Sequence, residues 1–286
     1  MSTEKKLTIF QNAIIDFCDN SDRNLIVQAF AGTGKTFILC KNIEVNVRKF
    51  PYASIFAVAF NTKIEEELKT RVDQRVTVLT LHKLGLRALF SKFGKIAIDK
   101  DNDKENAIAI NLLSSLGDEK ETFALRMQII KTVTLAKSYL AETSEEFEEV
   151  IERHQIDLEE CNIDQFIEYA RAVLVKSRED TKRITFSDMI YYVWYHKIKL
   201  PAHLKFDFMH IDEAQDLNPA QHYLVMQALK SGGRCFVYGD RNQAIYLFTG
   251  ADSLSMDKMK DAFNAVELPL PTTWRCPKKV VALAQE

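Results

Sequence analysis

Residues 25–36 read Leu25-Ile-Val-Gln-Ala-Phe-Ala-Gly-Thr-Gly-Lys-Thr36 and join an apolar run to a glycine-rich loop. From Ala29 onward the stretch matches the phosphate-binding pattern G-x-x-x-x-G-K-[ST], except that Ala29 stands at the first glycine. A helical run, residues 37–47, follows the loop, which completes the strand–loop–helix context of the pattern. The glycines allow a tight turn, and the helix N-terminus favours an anion. The stretch therefore predicts a phosphate-binding loop.

The loop also indicates how a nucleoside triphosphate would be held. The residues that border the phosphates are Ala31, Gly32, Thr33 and Gly34, whose backbone N–H groups can point at phosphate oxygens. The Lys35 ammonium can reach the β- and γ-phosphates, and the Thr36 hydroxyl can ligate Mg²⁺.

A second motif, Asp212-Glu-Ala-Gln-Asp216, follows the apolar run Phe206–Ile211. The run predicts a buried strand, so Asp212 is expected at a strand end that faces the phosphate loop. A carboxylate there can hold Mg²⁺, and the adjacent Glu213 can orient or deprotonate an attacking water. Together the two motifs favour nucleoside-triphosphate hydrolysis over nucleotide storage.

The chain alternates short apolar runs with helical stretches, which predicts an α/β fold with a largely parallel sheet. The candidate strands are residues 25–30, 54–60, 76–80, 206–211 and 235–238. Between about residues 99 and 183 the strand signal is weak, and amphipathic helices are expected at 106–116, 122–140, 144–154 and 163–177. We therefore expect a helical insertion between two halves of one α/β domain.

Further segments, in order, resemble motifs of superfamily 1 helicases of the UvrD/Rep/PcrA branch. Residues 7–11 resemble the Q-motif, 59–63 motif Ia, 80–83 motif Ib, 239–251 motif III and 270–277 motif IV, beside the phosphate loop and acidic motif as motifs I and II. The resemblance covers nearly the whole chain except its helical middle. It implies a RecA-like P-loop NTPase lobe that uses ATP and Mg²⁺. It also implies a DNA helicase that couples ATP hydrolysis to 3′→5′ translocation on single-stranded DNA.

By position, the resemblance assigns roles to single residues. The residues that would contact ATP are Gln11 at the adenine edge, Trp274 stacked on the adenine, and Gln243 and Arg275 at the γ-phosphate. The residues that would contact single-stranded DNA are Phe60, Asn61, His82, Tyr246 and Phe248, the last two by stacking on bases. The expected catalytic set is Lys35, Asp212, Glu213, Gln243 and Arg275.

The chain departs from the family pattern at several positions. Phe37 stands where many relatives have arginine, and motif III reads Gly239-Asp-Arg-Asn-Gln243 instead of Gly-Asp-Asp-Asp-Gln. Motifs V and VI of the family, the second of which supplies an arginine finger, have no match in the 286 residues. Since such an arginine can be worth about 10³–10⁵-fold in rate, we expect this chain alone to bind ATP·Mg²⁺ with weak or no hydrolysis.

The expected organisation has four segments. Residues 1–98 and 184–269 form the ATP-binding lobe (1A), residues 99–183 form the helical insertion (1B), and residues 270–286 begin a second lobe (2A). The leading interpretation is the N-terminal portion of a helicase, in which a protein partner could supply or replace the second lobe. The alternative is a stand-alone one-lobe module that binds ATP and nucleic acid, or docks on a partner, without motor activity. A helix-like ending without a capping glycine, residues 280–286, favours the first interpretation.

Composition bounds the remaining possibilities. The 38 Lys+Arg and 40 Asp+Glu give a formal net charge of −2, which excludes a binder that works by bulk positive charge. Nucleic-acid affinity must come from local contacts, and the motifs do not separate DNA from RNA. Six basic residues of the helical middle could line one edge and bind phosphates, although such residues are more often solvated separately on the surface. They are Lys131, Lys137, Lys176, Arg178, Lys182 and Arg183.

Localisation is predicted from the cysteines and from the apolar runs. The five cysteines are scattered, no apolar run approaches the about 18 residues of a membrane span, and the start lacks a signal-like apolar core. We expect a cytoplasmic, nucleoid or nuclear protein that is neither secreted nor bound in a membrane.

Overall fold

The computed structural model describes residues 7–243 and 254–274. The helices are α1 Ile9–Asn20, α2 Lys35–Lys49, α3 Thr62–Arg71, α4 Leu81–Phe93, α5 Asp103–Leu113, α6 Phe123–Tyr139, α7 Ser144–His154, α8 Ile163–Ser177, α9 Asp188–Tyr195, α10 Pro219–Ala228 and α11 Ser255–Phe263. The strands are β1 Leu25–Ala29, β2 Ile55–Ala59, β3 Thr77–Thr80, β4 Ala97–Asp99, β5 Arg183–Thr185, β6 Phe206–Ile211, β7 Leu229–Gly239 and β8 Val266–Leu270.

Among the described residues, six strands form one sheet in the order β3-β2-β6-β7-β1-β8, and every neighbouring pair is parallel. The register places Val27 of β1 beside Tyr238 of β7 on one side and Leu268 of β8 on the other. The α/β class predicted from the sequence is therefore confirmed. All six strands end at one edge of the sheet, which we call the carboxyl edge and where open α/β sheets bind ligands.

Side chains along each strand alternate between two apolar cores, one on each face of the sheet. Leu25 and Val27 pack in the core that contains Ile14 of α1 and Ile38 of α2, whereas Ile26 packs in the other core. Strands that are covered on both faces read as continuous apolar runs, which is why β1 is conspicuous in the sequence.

Helices α5 to α8 lie between β4 and β5, in the stretch for which the sequence predicts a helical insertion, and we keep that name for them. Strands β4 and β5 pair in parallel where the chain enters and leaves it, with Asp99 opposite Thr185. The core that contains Ile26 continues into the insertion through residues such as Ile129 and Phe166. The insertion therefore shares its apolar core with one face of the sheet, and the boundaries at residues 98 and 184 remain predictions.

The fold differs from the sequence-based expectation in several respects, one of which is that the short strands β4 and β5 are not among the predicted strands. Strand β8 is not among the predicted strands because Glu267 and Pro269 interrupt its apolar pattern, but as an edge strand it tolerates both. Strand β7 begins at residue 229, ahead of the predicted 235. Lys137 and Arg178 do not line a phosphate-binding edge. Lys137 is completely buried and paired with Asp188, and Arg178 is paired with Glu142.

Within residues 7–243 and 254–274, no helix combines the length and the apolar character that a membrane crossing needs.

Candidate functional site

The phosphate loop leaves β1 after Ala29 and enters α2 at Lys35. Gly32 and Gly34 have φ angles of +72° and +89°, a backbone region that favours glycine. The Thr33 hydroxyl donates to the Phe30 carbonyl oxygen at 2.8 Å and closes the turn. Ala29, which stands at the first glycine of the pattern, is the buried last residue of β1. Its methyl group is accommodated in the strand, so this departure leaves the loop intact.

Four side chains predicted to act on a nucleotide meet at the ends of β1 and β6. Lys35 Nζ lies 2.7 Å from Glu213 Oε2, and the Thr36 hydroxyl donates to Asp212 Oδ2 at 3.1 Å. Lys35 and Asp212 are buried, whereas the Glu213 side chain is 31% exposed. Glu213 has a φ of +49°, and its N–H donates to Asp212 Oδ1 at 3.1 Å. This turn brings two consecutive carboxylates to the mouth of the phosphate loop.

The carboxyl groups after β6 repel one another. Burial, and then the negative charge of Glu213, raises the pKa of Asp212 to about 6 and the pKa of Asp216 to about 7. The Lys35 ammonium acts in the opposite direction on both groups. A further positive charge at this place would stabilise the ionised carboxylates, and a divalent cation supplies such a charge.

Gln215, for which the sequence alone predicts no role, links this carboxylate cluster to the end of β7. Its Nε2 donates to Glu213 Oε2 at 2.9 Å and to Asp216 Oδ2 at 3.2 Å. Its Oε1 accepts the Asp240 N–H at 3.1 Å. A Cβ on Gly239 would stand 2.7 Å from that Oε1 and 2.6 Å from Met256 Sδ, so a larger residue at this position would displace one or both of these side chains. The position of Gln215 inside the acidic motif is the sequence signal that could have identified it.

Gln243, the predicted γ-phosphate contact, lies in a short 3-10 turn directly after β7. Its Nε2 donates to Asp240 Oδ2 at 2.6 Å, and its backbone N–H donates to the Asp240 carbonyl oxygen at 3.0 Å. Polar contacts therefore run without a break from Lys35 through Glu213, Gln215 and Asp240 to Gln243.

Arg241, which stands where the family pattern has aspartate, anchors the same turn. Its guanidinium donates to Glu267 Oε1 and Oε2 on β8 at 2.8 and 3.1 Å, and to Asp257 Oδ1 on α11 at 3.0 Å. It also donates to Gln28 Oε1 on β1 at 2.7 Å. An aspartate could not bridge these acceptors, so the charge change at residue 241 is matched by two acidic partners.

Gln11 and Trp274, the predicted adenine contacts, both border the phosphate loop. Gln11 Oε1 accepts the Thr8 N–H at 3.0 Å in the capping box of α1, and its Nε2 lies 3.7 Å from the point where a Cβ on Gly34 would stand. The backbone N–H of Trp274 donates to the Gly32 carbonyl oxygen at 3.0 Å, and the Trp274 residue is 72% exposed. Two residues that are 263 positions apart in sequence thus reach the same loop.

The described residues predicted to hold DNA follow β2 and β3, at the opposite end of the carboxyl edge from β8. Phe60 is 36% exposed, and the exposed Asn61 caps α3 by accepting the Ile64 N–H at 2.9 Å. The His82 ring stacks on Phe186 with centroids 3.9 Å apart, and burial lowers the pKa of His82 to about 4. Phe186 is 55% exposed. No sequence motif identifies Phe186, because only the fold brings it to His82.

Buried Glu65 on α3 holds the start of α4. It accepts the Thr80 N–H at 3.3 Å, and it is paired with Lys69 at 2.6 Å and with Lys83 at 3.0 Å. Burial acts to raise the pKa of Glu65, but the two lysines outweigh it and the pKa is lowered. The ionised carboxylate therefore fixes two lysines, each about half exposed, near His82.

Three predicted site residues lie outside the described residues: Tyr246, Phe248 and Arg275.

Comparison with known proteins gives a consistent result. A family model described as UvrD/REP helicase N-terminal domain matches residues 10–264. The chain is 28% identical to the ATP-dependent DNA helicase PcrA of Bacillus subtilis, over 93% of this chain and 37% of that protein. It is 26% identical to the ATP-dependent DNA helicase Rep of Escherichia coli, over 91% of this chain and 40% of that protein. A probable DNA helicase II homolog of Mycoplasma pneumoniae is also 26% identical, over 91% of this chain and 39% of that protein. The chain therefore spans about two fifths of the length of these relatives.

Proposed function

The chain belongs to the UvrD/REP helicase N-terminal domain family, and we propose that it is the ATP-binding part of a helicase that couples ATP hydrolysis to movement along single-stranded DNA. The observation that carries the proposal is the meeting of two pairs, Lys35 with Glu213 and Thr36 with Asp212, at the mouth of a glycine-rich loop. The names of the PcrA and Rep relatives, which are ATP-dependent DNA helicases, support it. The 3′→5′ direction and the need for a second lobe follow from the family resemblance.

Mg²⁺ fits the residues at this site. The Thr36 hydroxyl and the Asp212 carboxylate, 3.1 Å apart, would hold the ion together with phosphate oxygens and waters. The raised pKa of Asp212 supports this assignment, because the buried carboxylate lacks sufficient positive charge nearby. When bound, the ion would neutralise charge that develops on the phosphate oxygens.

The chain's own groups would divide the remaining tasks of hydrolysis. Backbone N–H groups of residues 31–34 and the Lys35 ammonium would hold the phosphates. A phosphate oxygen would compete with Glu213 for Lys35, since the two side chains are paired directly at 2.7 Å. Glu213, released from that pair and partly exposed, would accept the proton of the attacking water.

The contacts of Gln215 offer a route from this reaction to the DNA-binding segment. A movement of Glu213 would displace Gln215, because Gln215 Nε2 donates a hydrogen bond to Glu213. Gln215 Oε1 in turn accepts the Asp240 N–H at the start of the turn that carries Gln243. By resemblance, the segment that follows contains the aromatics Tyr246 and Phe248 that stack on bases. We propose that the loss of the γ-phosphate reaches those aromatics along this chain of contacts.

Single-stranded DNA would lie along the part of the carboxyl edge that follows β2 and β3. Phe60 and Phe186 present exposed rings there, and a stacked base is worth about 1–3 kcal/mol whatever its identity. His82 is neutral at pH 7, because burial lowers its pKa to about 4, so it would support the Phe186 ring without adding charge. Lys69 and Lys83 offer local positive charge for the phosphate backbone.

The proposal is tested by calorimetric titration of the 286-residue chain with ATP·Mg²⁺. We expect Lys35→Ala to weaken binding about 10- to 100-fold, the cost of one hydrogen bond to a charged phosphate group. The matched control is Lys49→Ala in the last turn of the same helix, far from the loop, which should bind as the wild type does. Far-UV circular dichroism establishes that both variants fold. Equal affinity for Lys35→Ala and wild type would refute the nucleotide site.

DNA binding is tested separately by the fluorescence anisotropy of a labelled oligo(dT). The wild-type chain should bind it, and turnover of ATP by this chain alone should be slow, because the 286 residues have no match to motif VI. Fast ATP hydrolysis stimulated by oligo(dT) would contradict this expectation.

A further inference from the structure

Gly85, the fifth residue of α4, lies where the backbones of α4 and α9 meet. Glycine is among the least favourable residues inside a helix. A Cβ on Gly85 would stand 2.1 Å from the Met189 carbonyl oxygen and 3.0 Å from the Met189 carbonyl carbon, whereas ordinary contact begins at 3.4 Å. Both atoms belong to the backbone of α9 and cannot turn aside as a side chain can. An alanine at residue 85 would therefore push the two helices apart by roughly 1 Å.

The two helices run side by side in the same direction. Three pairs of residues are in contact along them: His82 with Phe186, Gly85 with Met189, and Phe93 with His196. The members of these pairs are 104, 104 and 103 positions apart in sequence, so the helices keep one register from their starts to their ends. The contact at Gly85 lies one helical turn from the ring pair at the carboxyl edge. The separation of the backbones at Gly85 therefore sets the distance between the two rings, whose centroids are 3.9 Å apart.

The short loop that carries Phe186 is also fixed from behind. The Asp188 carboxylate accepts the Thr185 N–H at 2.9 Å, which closes the loop around Phe186. The same carboxylate is buried and lies 3.0 Å from Lys104 Nζ. The backbone on both sides of Phe186 is thus held in place while its ring stays more than half exposed. The ring has one face on His82 and is already ordered without DNA.

We propose that Gly85 is a positioning residue for DNA binding, which keeps the Phe186 ring stacked on His82 by holding α4 and α9 at backbone contact. This inference rests on the proposed function, because it explains how the proposed base-stacking ring is held. A side chain that is ordered before binding loses little rotamer freedom when a base stacks on it, so the preformed ring pair contributes to affinity. Gly85 itself touches no part of the DNA.

A double-mutant cycle, measured by the fluorescence anisotropy of a labelled oligo(dT), tests the inference. Gly85→Ala should weaken binding about 2- to 10-fold, the cost of immobilising one side chain. In a Phe186→Ala background the same substitution should have no further effect, because the ring that it displaces is absent. A general structural defect would weaken binding in both backgrounds. The matched control is Ser91→Ala on the exposed side of the same helix, which should bind as the wild type does.

The His82 ring gives a second readout by NMR titration. Burial lowers its pKa to about 4 in the wild type. Gly85→Ala opens the ring pair to water and should raise this pKa toward 6.5, whereas Ser91→Ala should not. In the wild type without DNA, nuclear Overhauser effects should connect the rings of His82 and Phe186.

Phe93→Ala keeps the inference testable if Gly85→Ala does not fold. It removes the contact with His196 at the far end of the helix pair, where the ring centroids are 5.0 Å apart, and leaves the contact at Gly85 in place. The affinity for oligo(dT) and the pKa of His82 should therefore stay at their wild-type values. A loss of affinity together with a raised His82 pKa would assign the ring pair to the packing of the helices as a whole and overturn the role of Gly85.

The remaining outcomes separate this inference from the proposed function. Wild-type affinity of Gly85→Ala, equal losses in the two backgrounds, or rings without an Overhauser effect in the wild type would overturn the role of Gly85 and leave the DNA site standing. Failure of the wild-type chain to bind oligo(dT), or wild-type affinity of Phe186→Ala, would overturn the proposed DNA site and the inference with it.

Discussion

Lys137→Met removes a cation that lies completely buried between the helical insertion and α9. Lys137 is 0% exposed and is paired with two buried carboxylates, Glu105 on α5 and Asp188 on α9, the second at 2.6 Å. Asp188 keeps a second partner, because Lys104 Nζ lies 3.0 Å from its Oδ2. Within the part of the chain that the structure describes, Glu105 has no second ion-pair partner, and its Oε2 makes no hydrogen bond. The substitution therefore leaves one buried carboxylate without compensation.

The expected loss in the free energy of unfolding is about 3–5 kcal/mol, the usual cost of removing one partner from a buried ion pair. Burial already raises the pKa of Glu105, and without Lys137 it should rise further. A carboxyl whose folded-state pKa is raised binds more protons when folded, so stability falls as pH rises through the range between its unfolded and folded pKa values. The deficit of Lys137→Met should accordingly be larger at pH 8 than at pH 5.

Urea denaturation followed by far-UV circular dichroism measures the effect. The matched control is Lys131→Met, which makes the same change at an exposed position of the same helix and should stay within about 0.5 kcal/mol of wild type. The double variant Lys137→Met with Glu105→Gln should recover part of the loss at pH 8, since it removes the uncompensated charge. A Lys137→Met protein as stable as Lys131→Met at pH 8 would refute the reasoning.

Three further predictions concern the carboxyl edge. In urea unfolding without nucleotide, Asp212→Asn should be up to about 3 kcal/mol more stable than the wild type above pH 7. The reason is that the pKa of Asp212 is raised to about 6, so the wild type loses stability as pH rises from about 4 to 6. A wild-type stability that does not change over that range would contradict the prediction. Phe186→Ala should weaken oligo(dT) binding in anisotropy by about 1–3 kcal/mol, whereas Phe90→Ala, of similar exposure, should not; equal affinities of the two variants would exclude stacking at Phe186. Arg241→Ala leaves the carboxylates of Asp257 and Glu267 without their shared guanidinium. It should lower the free energy of unfolding by about 1–2 kcal/mol, a value that allows for solvent screening of a side chain that is 24% exposed. The control Arg48→Ala removes an arginine that is 71% exposed and should not change the stability.

The parts of the fold that the sequence predicts correctly are those whose information is local. The strand–loop–helix around Gly34 is determined by adjacent residues, so the loop pattern alone is enough to predict it. Strand β8 escapes prediction because Pro269 is acceptable only at the edge of a sheet, and a single sequence does not show which strand is an edge. The prediction that Lys137 could line a phosphate-binding edge is wrong because its two carboxylate partners are 32 and 51 positions away in sequence, where no local pattern reveals them.

The candidate site follows the same division between local and distant information. Lys35, Thr36, Asp212 and Glu213 can be identified from two short motifs, but their pairing depends on β1 and β6 ending at one edge with β7 between them. Phe186 belongs to none of the motifs that the sequence displays. The role that we propose for Phe186 depends on its stacking on His82, which is 104 positions away in sequence and is brought to it only by the packing of the chain.

The strand order gives this arrangement a mechanical consequence. The nucleotide groups follow β8, β1, β7 and β6, whereas Phe60 and His82 follow β2 and β3 at the other end of the same edge. Of the described side chains beside the phosphate loop, Gln215 joins the end of β6 to the end of β7 by hydrogen bonds in both directions. Both strands lie on the nucleotide side of this edge, so the coupling that we propose through Gln215 reaches the turn after β7 and not the residues that follow β2 and β3.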